Sequence, residues 1–291
     1  MSAPDAAGSP RRARRATAHL ALVGADGRAV LDAGGAPGGE RLAGARVRFG
    51  DDPAEVARGA AGLPAGVPLA PCDVRTELAE ARRADGGTVE LHVDRIYYTA
   101  PVDRAPDAPG GRSVPLRAAV ALPPQPAADA LAEEEAERAG PVLRRFSCYG
   151  VVTDPAGRIL LSRIAPGFPG AGTWHLPGGG VDHGESPRAA LRREVVEETD
   201  QRCGVGALIE ISHYRRTREL GPGDPETDVY AVWVFFHAHV AEPRTPRVVE
   251  LDGSTEDCAW FDAGELARLP LSATARRAFG QLSRTGSDTR Y

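Results

Sequence analysis

Six residues within Trp174–Asp200 have types and spacings suited to chemistry on phosphate: Gly179, Glu185, Arg193, Glu194, Glu197 and Glu198. On a helix, Glu194, Glu197 and Glu198 share one face, because the second and third lie three and four residues past the first. Like charges so placed repel by about 0.2–0.5 kcal/mol per exposed pair. A hard divalent cation turns the repulsion into coordination, since Mg²⁺ takes oxygen ligands shared between carboxylates and substrate phosphates. Diphosphates resist attack because their charged oxygens repel a nucleophile; bound metal neutralises that charge and lowers the pKa of bound water. An isolated run of this kind is more often a solvated helix surface with an Arg193–Glu197 pair. Six fixed positions together change that, with a chance coincidence on the order of 10⁻⁷ at average residue usage.

The flanking residues supply what such a site needs. Pro177-Gly178-Gly179-Gly180 reads as a turn that lets other groups approach the backbone closely. Ser186 is placed to cap a helix whose first residue is Pro187, and Leu191 and Val195 pin that helix to a core.

The pattern G-x5-E-x7-R-E-U-x-E-E resembles the signature box of the Nudix hydrolases, over roughly residues 144–279. The family usually closes the box with Gly and an apolar residue, whereas this chain has Asp200 and Gln201. Asp tolerates the left-handed conformation, so the helix can still stop there. The resemblance implies an α/β (α+β) fold, an α/β/α sandwich with a mixed sheet. It also implies a metal-dependent pyrophosphohydrolase acting on a nucleoside diphosphate linked to another group, with Mg²⁺ or Mn²⁺. Glu194 and Glu198 are the expected metal ligands, with Glu197 on a second ion or orienting water. Glu185 completes the metal-binding set and pairs with Arg193, bracing the loop against the helix. Catalytic work falls to Glu197, Glu198, Arg193 and a base outside the box, Glu256 in preference to Asp257. Arg163, Gly178 and Gly179 are the expected substrate contacts. His175 and His183 are expected to make local hydrogen bonds, and Trp174 and Trp233 to be core aromatics. The rival readings are a ligand-binding sensor of the same fold and a hydrolase of a non-nucleotide diphosphate. Three intact carboxylates argue against the sensor.

Composition narrows the classes. Hydrophobic content of 42% with 26% charged residues is globular, and a net charge of −5 favours neither nucleic acid nor anionic membrane. No apolar run nears the ~20 residues of a membrane span. All basic residues are Arg, which rules out lysine Schiff-base chemistry. Cys72, Cys148, Cys203 and Cys258 are scattered, as in a reducing cytosol, so the expected location is cytoplasmic. The oligomeric state is open, a homodimer among the options.

Along the chain we expect a disordered tail over 1–16, a smaller α/β domain over 17–122, a linker over 123–142, the Nudix domain over 143–283 and a tail over 284–291. Thr88–Thr99 reads as a strand, and Pro53–Ala61 and Val74–Ala84 as helices. A faint repeat links the halves. Gly27–Leu31 parallels Gly157–Leu161, Gly50–Pro53 parallels Gly184–Pro187, and Ile96-Tyr97 parallels Val232-Trp233, at offsets of 130, 134 and 136. The first copy has Ala60, Leu63 and Pro64 in place of Glu194, Glu197 and Glu198, which suggests a Nudix-like domain without metal ligands.

Overall fold

The computed structural model describes residues 11–31, 41–102, 112–123, 125–136, 138, 140–221, 224–251 and 253–285. The chain forms two compact units, residues 1–144 with 215–230, and residues 145–214 with 231–291.

The first unit holds β1 (Arg11–Val23), β2 (Arg28–Leu31), β3 (Ala43–Val47), α1 (Pro53–Ala60), β4 (Ala70–Arg82), β5 (Thr88–Pro101), β6 (Arg112–Pro115), α2 (Leu116–Ala119) and α3 (Ala128–Leu131). Its sheet runs β4-β5-β1-β2-β6, with β3 on β1. Strands β1 and β5 are parallel and their neighbours antiparallel. β5 is an inner strand between β4 and β1, and its residues are buried almost without a break from Val89 to Tyr98.

The second unit is built from β7 (Val142–Thr153), β8 (Ile159–Ile164), β9 (Trp174–His175), β10 (Gly178–Gly180), α4 (Pro187–Thr199), β11 (Gly204–Gly221), β12 (Asp224–His239), β13 (Thr255–Phe261), α5 (Ala263–Leu266) and α6 (Ala273–Thr285), except that the first residues of β7, the end of β11 and the start of β12 belong to the first unit. Its sheet runs β11-β12-β7-β8-β13, with β10 on β7 and β9 on β8. Strand alternation sends neighbouring side chains to opposite faces. Phe236 lies under Arg188 of α4, while Phe235 packs with Val151, Leu161 and the α6 residues Ala275 and Ala278. The sheet therefore sits between helices.

Strand order is the same in both units, and so is the register at two crossings. Leu22 faces Val30, as Val152 faces Leu160 130 positions later. His19 faces Gly44, as Tyr149 faces Gly178. Asp52 caps α1 and Ser186 caps α4, each with Pro at the next position.

Three expectations are corrected. Val74–Ala84, rich in Ala, Glu and Arg, lies mostly in strand β4 because it pairs with β5 from Ala70 to Arg82; sheet partners override local propensity. The basic residues Arg11 to Arg15 are not a tail but the start of β1, paired with Val89–Val93, with Arg14 bonded to buried Asp94 at 2.7 Å. Residues 1–10 and 286–291 lie outside the described residues. Residues 123–142 are packed against the first unit: Leu131 and Ala132 are buried against Ala81, Val89, Leu91 and Val93. Glu135 accepts from Arg46 and Arg144 as well.

Candidate active site

The Gly178–Gly180 segment is a short strand on β7 rather than an open turn, with Gly178 opposite Tyr149 and Gly179 opposite Cys148. Gly178 has φ +139°, and a Cβ there would run into the Cys148 carbonyl oxygen. A Cβ on Gly179 would lie 2.6 Å from a Glu194 carboxylate oxygen. One glycine is needed for the strand pairing and the next for the approach of an acidic group to the backbone.

Helix α4 starts at the Ser186 cap, whose hydroxyl accepts from the Ala189 amide, and buries Ala190, Leu191 and Val195. That fixes where its carboxylates fall. Arg193 is their hub. Its Nε and Nη2 donate to Glu185 at 3.2 and 3.1 Å, and Nη1 to Glu194 and Glu197, each at 2.9 Å. Nη2 also donates to the Gly180 carbonyl at 3.0 Å, which ties the helix to β10. These carboxylates, Glu185 first, hold the guanidinium pKa above its usual value.

Glu198 is 4% exposed and faces inward. Its carboxylate accepts from the Ser162 hydroxyl (2.9 Å), the Gly178 amide (3.1 Å) and the Thr255 hydroxyl (3.0 Å). Burial, reinforced by the Glu194 charge, pushes the carboxyl up to about 8, against the pull of those donors. Glu194 is raised too: burial and the charges of Glu197 and Glu250 outweigh the adjacent Arg193. The site holds more negative charge than its own cations balance. Behind it, buried Cys148 has its thiol pushed up to about 12 by burial and then by Glu194.

Arg163 and Glu256 meet each other, Nε to Oε1 at 3.1 Å, across the β8–β13 pairing. Both are partly exposed. His175 is neutral, held near 4 by burial, and its Nδ1 contacts the Ser272 hydroxyl at 2.7 Å. Trp174 packs edge-on against Phe261 and Trp233 is half-buried.

Asp200 adopts φ 55°, ψ 27° and closes α4 with its amide on the Val196 carbonyl. The segment from Arg244 to Glu250 straps this end. The Val249 and Glu250 amides donate to the Glu197 carbonyl, both at 2.9 Å, and the Arg247 amide to Thr199 at 3.2 Å. Arg247 also binds the Asp200 carboxylate at 2.6 Å, offsetting the unfavourable charge at a helix C-terminus. Buried Gln201 accepts from the Arg244 amide and donates to the Thr199 carbonyl. The two departures from the usual box thus fasten the turn that carries Glu197 and Glu198.

Sequence reasoning missed Ser162, Thr255 and this strap. A polar residue turned inward within the apolar strand Ile159–Ile164 was the available signal for Ser162.

Among the described residues, no three acidic, histidine or cysteine side chains converge on one point ready for an ion. Arg193 engages Glu194 and Glu197, and Glu198 faces its three donors. The donor set is nonetheless all oxygen, and surplus negative charge is what a hard cation relieves. The residues fit such an ion.

The NUDIX domain matches residues 143–282, and two relatives decide the family. Nucleoside triphosphatase NudI of Enterobacter sp. (strain 638) is 31% identical over 129 residues, 43% of this chain and 87% of that protein. NudI of Escherichia coli O139:H28 (strain E24377A / ETEC) is also 31% identical, over 42% of this chain and 84% of its own. The chain belongs to the Nudix family. Among solved structures, the MutT protein from Methanosarcina mazei Go1 is 25% identical over 50% of this chain and 96% of its own, with a TM-score of 0.39. This Nudix chain is a pyrophosphohydrolase, and Nudix hydrolases use divalent metal ions. No helix among the described residues is long and apolar enough to cross a membrane.

Proposed function

We propose that this Nudix enzyme hydrolyses the diphosphate linkage of a nucleoside diphosphate joined to another group, releasing a nucleoside monophosphate. The observation that carries this reading is the meeting of Glu194 with Gly179, where a Cβ would lie 2.6 Å from the carboxylate in its present position. Glu194, Glu197 and Glu198 would hold Mg²⁺ or Mn²⁺, with Glu185 behind them. When bound, the cation neutralises phosphate charge and makes water a better nucleophile.

The protein groups supply position and proton control. Glu198 is fixed by Ser162, Gly178 and Thr255. Arg193 keeps Glu194 and Glu197 aligned. Glu256 is the external base and Arg163 a phosphate contact; their ion pair keeps both at the rim of β8 and β13. The Gly178 and Gly179 backbone completes the substrate contacts. The scattered cysteines support a cytoplasmic location.

The curated relatives are nucleoside triphosphatases, so triphosphates head the substrate panel, with pyrophosphate as second product. Mg²⁺-dependent turnover is measured on nucleotides and on an isoprenoid diphosphate. Turnover of nucleotides that collapses in Glu198→Gln, with the fold intact, is the expected result. Exclusive turnover of the isoprenoid, or an unaffected Glu198→Gln, overturns the reading.

A further inference from the structure

Glu210 and Ser212 stand two residues apart on β11, and strand alternation turns both side chains to one face. They are 6% and 4% exposed. One Glu210 oxygen accepts from Arg277 Nε of α6 at 2.8 Å. The other oxygen and the Ser212 hydroxyl are buried without a hydrogen-bond partner among the described residues. Native proteins pair nearly all such atoms, because an orphaned one is destabilising. Two orphans at successive positions of one strand face therefore call for a ligand that completes them.

What lies around them indicates the ligand. Tyr214, next along the same face, stacks on Trp233 of β12, ring centroids 5.6 Å apart and planes 12° from parallel. Both rings are half-buried. Two residues on, the Phe235 ring meets Tyr149 at 5.8 Å, and Tyr149 lies opposite Gly178, whose amide donates to Glu198. Aromatic rings thus connect the acidic site to the orphaned pair. Flat stacking surfaces beside polar groups that lack partners are what a heterocycle needs.

We propose that Glu210 and Ser212 read the edge of the substrate's nucleobase and select bases that carry an exocyclic amino group. An ionised carboxylate oxygen can only accept, so it needs an N–H, which an amino group supplies. A keto group in the same place would set acceptor against acceptor and leave both unsatisfied. The Ser212 hydroxyl can give or take a hydrogen bond and suits the ring nitrogen next to the amino group. Arg277 holds the carboxylate in place. The inference rests on the nucleotide reading above and adds base selectivity to it.

The test compares kcat/KM of the full-length protein with Mg²⁺ for CTP against UTP and for GTP against ITP. The amino-bearing member of each pair is expected to be favoured about tenfold or more, the scale of one buried hydrogen bond. Glu210→Gln, whose amide can turn an N–H toward a keto group, should narrow or reverse the CTP preference, mainly through KM. Ser212→Ala removes a single oxygen and should narrow it too, which keeps the test open if Glu210→Gln does not fold. Equal kcat/KM within both wild-type pairs, or preferences that survive both substitutions, would overturn the assignment. Calorimetric titration of CMP and UMP into metal-free protein reads the same selectivity without turnover. A CMP preference without any nucleotide hydrolysis sinks the diphosphatase reading but keeps this one; equal or undetectable binding sinks this one.

Discussion

Helix α1 of the first unit has eight residues and stops at Ala60, whereas α4 of the second has thirteen and runs on to Thr199. Set side by side from Pro53 and Pro187, the shorter helix ends where the longer one carries Glu194. The turn that holds Glu197 and Glu198 has no helical counterpart. The glycines divide in the same way. Gly44 faces His19 as Gly178 faces Tyr149, and at either position a Cβ would strike a neighbour, the His19 ring in one unit and the Cys148 backbone in the other. That glycine serves the fold. The next position is Ala45 in the first unit and Gly179 in the second, and only Gly179 has an acidic side chain against it. That glycine serves the site.

Four measurements would break or sharpen this division. The largest effect is expected for Glu198→Gln, which should lower Mg²⁺-dependent turnover by about 10²–10⁴-fold, while Ala60→Gln, at the place in α1 that matches Glu194, leaves it intact. Loss of turnover in both would mean that α1 carries function. Gly179→Ala comes next. It displaces Glu194, so initial rates should drop about 10–100-fold with little change in melting temperature. Gly44→Ala and Gly178→Ala should each destabilise their unit by about 1–3 kcal/mol through overpacking, read by denaturant unfolding. Only Gly178→Ala should also impair turnover, since its amide holds Glu198. The smallest effect near neutral pH concerns titration. Burial, then the Arg95 charge, depresses His19 to about 3, and burial depresses His175 to about 4. Both are neutral when folded, so protonation favours the unfolded chain. Stability should be full above about pH 6.5 and decline below it, by at most about 1.4 kcal/mol per pH unit for each histidine. The decline should continue to lower pH in the first unit, and His19→Gln should flatten it there. Equal slopes in that variant and the parent would rule His19 out.

The box was legible because its information is local. Ser186, Pro187 and the carboxylate spacing specify a capped helix with one acidic face, and α4 begins and ends where they indicate. The second unit's architecture followed from the family resemblance to that box. What lay beyond reach depends on distant partners. Val74–Ala84 has helix-forming residues, and only its pairing with β5 makes most of it strand. Ser162 and Thr255 come from two other strands to meet Glu198, 36 and 57 residues away in the chain. Asp200 and Gln201 looked like a blemish in the pattern until Arg244 and Arg247, more than forty residues on, supplied their partners. The repeat was faint in letters because only glycine, proline and apolar positions carry it.

Cys148 gives the molecule an internal reporter. Its side chain is fully buried on the strand that pairs with Gly179, and with its thiol pushed up to about 12 it holds almost no thiolate at neutral pH. An alkylating reagent can reach it only when the β7–β10 pairing comes apart, so the labelling rate of this one side chain counts the openings of the strand on which Glu194 rests. Followed with and without added cation, that rate would tell how firmly an ion locks the catalytic face shut, in a protein that has not been altered at all.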